Sequence, residues 1–189
     1  MAGAHAEAVV PPDGGTLYLT LPDGPAPEAP APGLVDRSAP GYAHQKVTLC
    51  LRDELAAQLE GRGVVAVGVS WLMPAVEGPQ VRVPDLMVLL EEPVADVVTS
   101  APLVVVEVVA PGRRADDLVL RSPEYLAAGV EQYWIVDPRD RVIDMFGRGA
   151  AGWERLAHLD DTVPEGSVDV PEVGPLSVAL AAVLGKLAA

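Results

Sequence analysis

Two acids sit where this chain can least tolerate them. Asp85 lies in VRVPDLMVLL (81–90) and Glu107 in PLVVVEVV (102–109). Both tracts are rich in β-branched and aliphatic residues, so both predict strands. A carboxylate inside such a run is costly to bury unless it is paired or binds a cation. Strand alternation places Val105, Glu107 and Val109 on one face and Val104, Val106 and Val108 on the other. Apolar residues on both faces mark a central strand covered on each side. Two carboxylates on neighbouring strands suit a divalent ion with hard oxygen ligands, Mg²⁺ or Mn²⁺ rather than zinc. Plainer readings stand beside this one. Asp85 follows Pro84, which cannot donate a ladder bond, and so fits a bulge or edge. Glu107 fits a structural ion pair with Arg113, Arg114 or Arg121.

The pattern around these acids predicts a domain of mixed α and β structure. Residues 1–42 are rich in Pro, Gly and Ala, and PDGPAPEAPAPG (22–33) can form neither a helix nor a central strand. This segment reads as an arm, with one short strand at 16–21 (TLYLTL). A single domain follows over 43–189. Its first helix, 43–60, carries Val47, Cys50, Leu51, Leu55 and Leu59 at helical spacing and ends at Gly61 and Gly63. Strands are expected at 64–72, 81–90 and 102–109. A second helix is expected over 115–128, kinked at Pro123 or starting at Ser122, and closed by Gly129. Strands at 132–136 and 141–146 flank the turn DPRD, another fits 153–159, and an amphipathic helix fits 176–187. The strand–helix–strand unit from 102 to 136 calls for parallel pairing with a right-handed crossover. The fold class is therefore α/β or α+β with a mixed sheet.

Composition excludes several functions. The 189 residues are 50% hydrophobic, enough for a full core without staples. No apolar run reaches the length of a membrane span, and the start lacks the features of a signal peptide. The lone Cys50 cannot form an internal disulfide and reads as a small buried residue. The expected setting is the cytoplasm. A net charge of −14 argues against broad nucleic-acid binding. It leaves room for a local basic groove from Arg113, Arg114 and Arg121. P-loop, dinucleotide-binding, H-E-x-x-H and G-x-S-x-G motifs are all absent.

Three further features carry possible chemistry. His44, ahead of the first helix, could orient a water or a phosphate, although a lone histidine there is more often a cap or a surface residue. Glu54 and Glu60 lie on the same helix and read as solvated. In GVEQYWIVDP, one of Tyr133 and Trp134 is expected in the core, while the other could face a partner. Asp137 before Pro138 reads as a turn residue.

Taken together, PD, the strand bearing Glu107 with its Pro-containing loop, and Y-x-x-x-G-V-x-x-Y-W-x-V-D-P (125–138) resemble the Uma family of restriction-endonuclease-type proteins. That family is a branch of the PD-(D/E)XK nuclease superfamily. The resemblance runs from His44 to Phe146, with a fainter echo in VPEVGPLSVALAAVL (170–184), and does not extend well into the first forty residues. It implies a restriction-endonuclease-like mixed sheet flanked by helices. It also implies a Mg²⁺-dependent phosphodiesterase site in which Asp85 and Glu107 hold the metal and His44 matches the family histidine. The superfamily lysine two residues after the glutamate is replaced here by Val109. In the Uma branch that lysine is displaced to the following helix, four residues before the tyrosine, and Arg121 holds that position before Tyr125. No lysine occurs between Lys46 and Lys186. Arginine stays charged and can bind phosphate with paired hydrogen bonds, but it cannot serve as a base.

The expectation is thus a metal-dependent endonuclease acting on DNA. Asp85, Glu107 and Arg121 are its catalytic residues, with His44, Arg113, Arg114 and Tyr125 contacting substrate. A homodimer is expected, because cutting two strands needs two sites. The competing reading is a nuclease-like fold used as a binding module or for other chemistry in the same cleft.

Overall fold

The valines around Glu107 build the centre of the molecule. The structure, a computed structural model, describes residues 41–74, 80–110 and 121–185. The expected arm therefore lies outside the described residues except for its last two. In chain order the elements are α1 (Tyr42–Leu59), β1 (Val64–Val67), β2 (Ser70–Met73), β3 (Gln80–Arg82), β4 (Leu86–Leu89), β5 (Val97–Val98) and β6 (Val104–Val108). They continue with α2 (Ser122–Ala127), β7 (Gln132–Asp137), β8 (Val142–Gly149), β9 (Gly152–Leu159), β10 (Glu165–Val170), β11 (Gly174–Ala179) and α3 (Leu180–Leu184).

Six strands form one mixed sheet in the order β1-β4-β6-β7-β8-β9. The pair β6–β7 is parallel, as the strand–helix–strand unit required, and the other neighbours are antiparallel. Both faces of β6 are covered. Val104, Val106 and Val108 pack with Val47, Leu51, Leu55 and Leu59 of α1 and with Leu180, Val183 and Leu184 of α3. Val105 and Val109 belong to a second cluster with Trp71, Met73, Val98, Tyr125 and Tyr133. The second cluster draws on a three-stranded sheet, β3-β2-β5, and on α2. Each fully buried valine or leucine contributes roughly 1.5–3 kcal/mol, so this double cover sets the position of β6 firmly.

Several expectations are corrected. The tract 64–72 is two strands, because Gly68 adopts φ +61° between β1 and β2, a conformation other residues rarely adopt. The tract 81–90 also divides. β3 pairs with β2 in the small sheet, β4 pairs with β1 and β6 in the large one, and Pro84–Asp85 is the corner between them. Of the tail expected as a helix over 176–187, residues 176–179 complete the strand β11 of the hairpin β10–β11, Leu180–Leu184 are helical as expected, and 186–187 lie outside the described residues. Leu176, Val178 and Leu180 are buried at alternate positions, while Leu180, Val183 and Leu184 have helical spacing. The change of period falls at Leu180. Of the second helix expected over 115–128, residues 115–120 lie outside the described residues; the described α-helix is Ser122–Ala127, with Pro123 in its first turn, and Gly129 at φ +92° follows it. Tyr133 and Trp134 are both in the core. They are buried on opposite sides of β7, in the second and first clusters respectively. Cys50 is half-buried rather than buried. Among the described residues no helix is long and apolar enough to cross a membrane.

Candidate active site

Asp85 and Glu107 are brought together by strand register. The ladder between β4 and β6 pairs Val88 with Val104, Met87 with Val105 and Leu86 with Val106. The next positions in that register are Asp85 and Glu107. Pro84 ends the strand at this point, so the Asp85 carboxylate extends the ladder where the backbone does not. Its Oδ2 accepts from the Val108 amide at 2.8 Å. Its backbone carbonyl accepts from Gly68 N at 3.2 Å, which anchors the corner to the start of β2. Its Oδ1 lies 3.1 Å from His44 Nε2. An ionised carboxylate only accepts, so this contact puts a proton on Nε2. His44 in turn is held in the first turn of α1, where Thr48 Oγ1 donates to its carbonyl at 2.9 Å.

Glu107 is nearly closed off, with 3% of its side chain exposed against 17% for Asp85. Two donors meet on its Oε1. Arg121 Nη1 stands at 2.7 Å and the Tyr125 hydroxyl at 2.6 Å. Among the described residues no donor stands on Oε2. The carboxyl is pushed up to about 7, first by loss of hydration and then by the negative charge of Asp85, against the opposing pull of Arg121. The charge of Asp85 thus acts on Glu107, in keeping with their neighbouring register positions.

The sequence-derived residues divide cleanly. Asp85, Glu107, His44, Arg121 and Tyr125 converge. Arg113 and Arg114 lie outside the described residues. Tyr125, expected to touch substrate, is 1% exposed with its hydroxyl on Glu107. Val109 packs in the apolar cluster, so Arg121 supplies the cation against Glu107. Glu54 lines a separate cavity with Glu165, Ser167 and Ser177. Sequence reading missed the Val108 amide as a partner for Asp85, because a backbone donor leaves no trace in residue type. It also missed the pair of Asp144 and His158, whose Nδ1 lies 2.7 Å from Asp144 Oδ1 across β8 and β9.

The donor set can be tested against a divalent ion. Among the described residues no three His, Cys, Asp or Glu side chains cluster at ligand spacing. Two carboxylates do meet, one with an oxygen lacking a donor, and their repulsion is what a cation relieves. Mg²⁺ commonly takes only one or two protein carboxylates and fills its remaining positions with water and phosphate oxygens. The chemistry of these two carboxylates is therefore compatible with such an ion, which Asp85 and Glu107 would hold.

Comparisons with known proteins agree with this architecture. The family profile Uma2, described as "Putative restriction endonuclease", matches residues 17–180. It begins well before His44, where the motif resemblance was first evident. A solved structure from Anabaena variabilis, titled a "putative nuclease belonging to DUF820", superposes with a TM-score of 0.61 at 16% identity, covering 77% of this chain and 82% of its own. At that identity the likeness shows the shared fold alone. A search of the curated proteins finds no match.

Proposed function

The chain belongs to the Uma2 family of restriction-endonuclease-type proteins, and from that premise we propose that it is a metal-dependent phosphodiester hydrolase acting on DNA. The observation that carries this reading is the approach of Asp85 to Glu107 at the end of the central strands, with Arg121 on Glu107. A divalent ion held by the two carboxylates would supply Lewis-acid activation of water and neutralisation of phosphate charge.

The side chains divide the remaining work. Asp85 is oriented from two sides, by His44 and by the Val108 amide. Arg121 remains charged throughout, steadies the Glu107 carboxylate and is assigned to stabilising negative charge on a phosphate. It cannot accept a proton, so the proton lost by water must pass to solvent or to the phosphate itself. Arg113 and Arg114 are assigned to the DNA backbone, and His44 to an adjacent phosphate or water. The active form is assigned as a homodimer in the cytoplasm, one site for each strand.

A second reading has its own support. Glu107 is almost fully enclosed and already neutralised in part by Arg121, which suits a nuclease fold kept as a binding module. The two readings separate on one experiment, incubation of supercoiled plasmid with the purified protein and Mg²⁺ or Mn²⁺. The hydrolase reading expects nicking that requires the metal and disappears in Asp85→Asn and Glu107→Gln. Nicking that persists in both variants removes it. Metal binding without nicking by the unmodified protein favours the binding module.

A further inference from the structure

The helix α2, Ser122–Ala127, is bonded at both its ends to side chains of neighbouring strands. Here three side chains from other strands fix it. Arg82 of β3 donates to Glu124 Oε2 through Nε at 3.1 Å and Nη2 at 2.8 Å. Trp153 of β9 donates from Nε1 to the Ser122 carbonyl at 2.8 Å. At the other end Arg148 Nη2 donates to the Leu126 and Val130 carbonyls at 2.6 and 2.8 Å. The helix is thus tied to both sheets by polar bonds at its start and its end.

What this bracing positions is the Tyr125 ring. Trp71 and Tyr133 flank it with centroids at 5.9 and 5.4 Å, the latter edge-on. Aromatic pairs at these separations favour one ring orientation. The ring carries its hydroxyl to Glu107 Oε1, on the same oxygen that Arg121 engages. Both donors meet on one oxygen, which orients the carboxyl group, and among the described residues none stands on the other oxygen, Oε2.

We infer that Tyr125 is a positioning residue, which fixes the Glu107 carboxylate through its buried hydroxyl so that Oε2 is presented with Asp85 to a divalent cation. The inference rests on the proposed metal site. It gives Tyr125 a place behind the ligand rather than on the substrate. Outer partners that orient a ligating carboxylate commonly matter about 10–100-fold in metal affinity.

The test is titration calorimetry of Mn²⁺ into the full chain and into Tyr125→Phe, which deletes the hydroxyl and keeps the ring between Trp71 and Tyr133. The expected result is a Kd raised about tenfold at an unchanged near-ultraviolet circular dichroism spectrum. Glu124→Ala, which keeps the Tyr125 hydroxyl but loosens the helix that carries it by removing its tie to Arg82, is expected to raise the Kd several-fold and serves if Tyr125→Phe fails to fold. Arg141→Ala, a surface change at the Asp161 pair, is the control and should bind as the unmodified chain does. Equal Mn²⁺ affinity in folded Tyr125→Phe and the unmodified chain overturns the positioning role while the metal site stands. No Mn²⁺ binding by the unmodified chain overturns both.

Discussion

Asp85 stands one register step beyond the last paired residue of β4, opposite Glu107, and its carboxylate takes the amide of Val108, the residue after that glutamate. One acid therefore completes the hydrogen bonding of the strand that carries the other. The arrangement buries Glu107 beside a second acid, and the cost, first of lost hydration and then of the Asp85 charge, appears in the raised pKa of Glu107.

That cost predicts a pH dependence of stability. Glu107 titrates near 7 in the folded chain against 4.5 as the ordinary value. Between these values the folded state holds a proton that the unfolded state has released. Stability should therefore fall as pH rises from about 4.5 to about 7, by roughly 3 kcal/mol at most, and level off above. Glu107→Gln imitates the protonated acid. It should unfold at higher temperature than the unmodified, metal-free protein at pH 8 and lose most of this slope, as differential scanning calorimetry at several pH values would reveal.

Arg121 is the only cation hydrogen-bonded to Glu107 among the described residues. Its replacement by alanine should cost about 1.5–3 kcal/mol above pH 7, the range for a hydrogen bond to a charged group. Plasmid nicking should slow about 100-fold, in line with losing one preorganised charge at a developing anion. Arg121→Lys restores a cation that can also lose a proton. It should recover at least the original rate, and a rate as low as that of Arg121→Ala would show that the paired guanidinium geometry is what counts.

His44 fixes one oxygen of Asp85 while the Val108 amide fixes the other. In His44→Ala the amide bond remains, so stability should drop by only about 1 kcal/mol. The loss should appear instead as a metal Kd raised about tenfold, measured by calorimetry. A change confined to stability would reduce His44 to a fastening between α1 and the sheet.

Metal addition should itself stabilise the chain. At a Mg²⁺ concentration ten times its Kd, mass action adds about 1.4 kcal/mol, or roughly 3–6 °C in Tm for a domain of this size. Asp85→Asn should abolish that increment, and a thermal-shift series with Mg²⁺ against Na⁺ at matched ionic strength would separate it from general screening.

The acids themselves were legible in the primary structure because they break apolar strands, and the faces of β6 followed from alternation alone. Val105 and Val109 lie in one cluster and Val104, Val106 and Val108 in the other, as expected. That Ser122–Ala127 is helical was legible too, since Pro123 is at home in a first helical turn. The division of 81–90 between two sheets did not follow, because Val83 and Leu86 have the same strand preference and only Pro84 hints at a corner. The role of Tyr125 was also hidden, since spacing places it four residues from Arg121 but gives no sign of what its hydroxyl meets.

Residue order alone thus determined the mixed sheet, its covered central strand and the identity of the two acids, because periodicity and burial cost are local properties of a sequence. Tertiary structure alone decided that Asp85 takes the Val108 amide, that Arg121 and Tyr125 share one oxygen of Glu107, and that α2 is fixed by Arg82, Trp153 and Arg148. These contacts join residues from different strands and helices, and their energies depend on distance and desolvation, which exist only once the sheet has formed and water has left it.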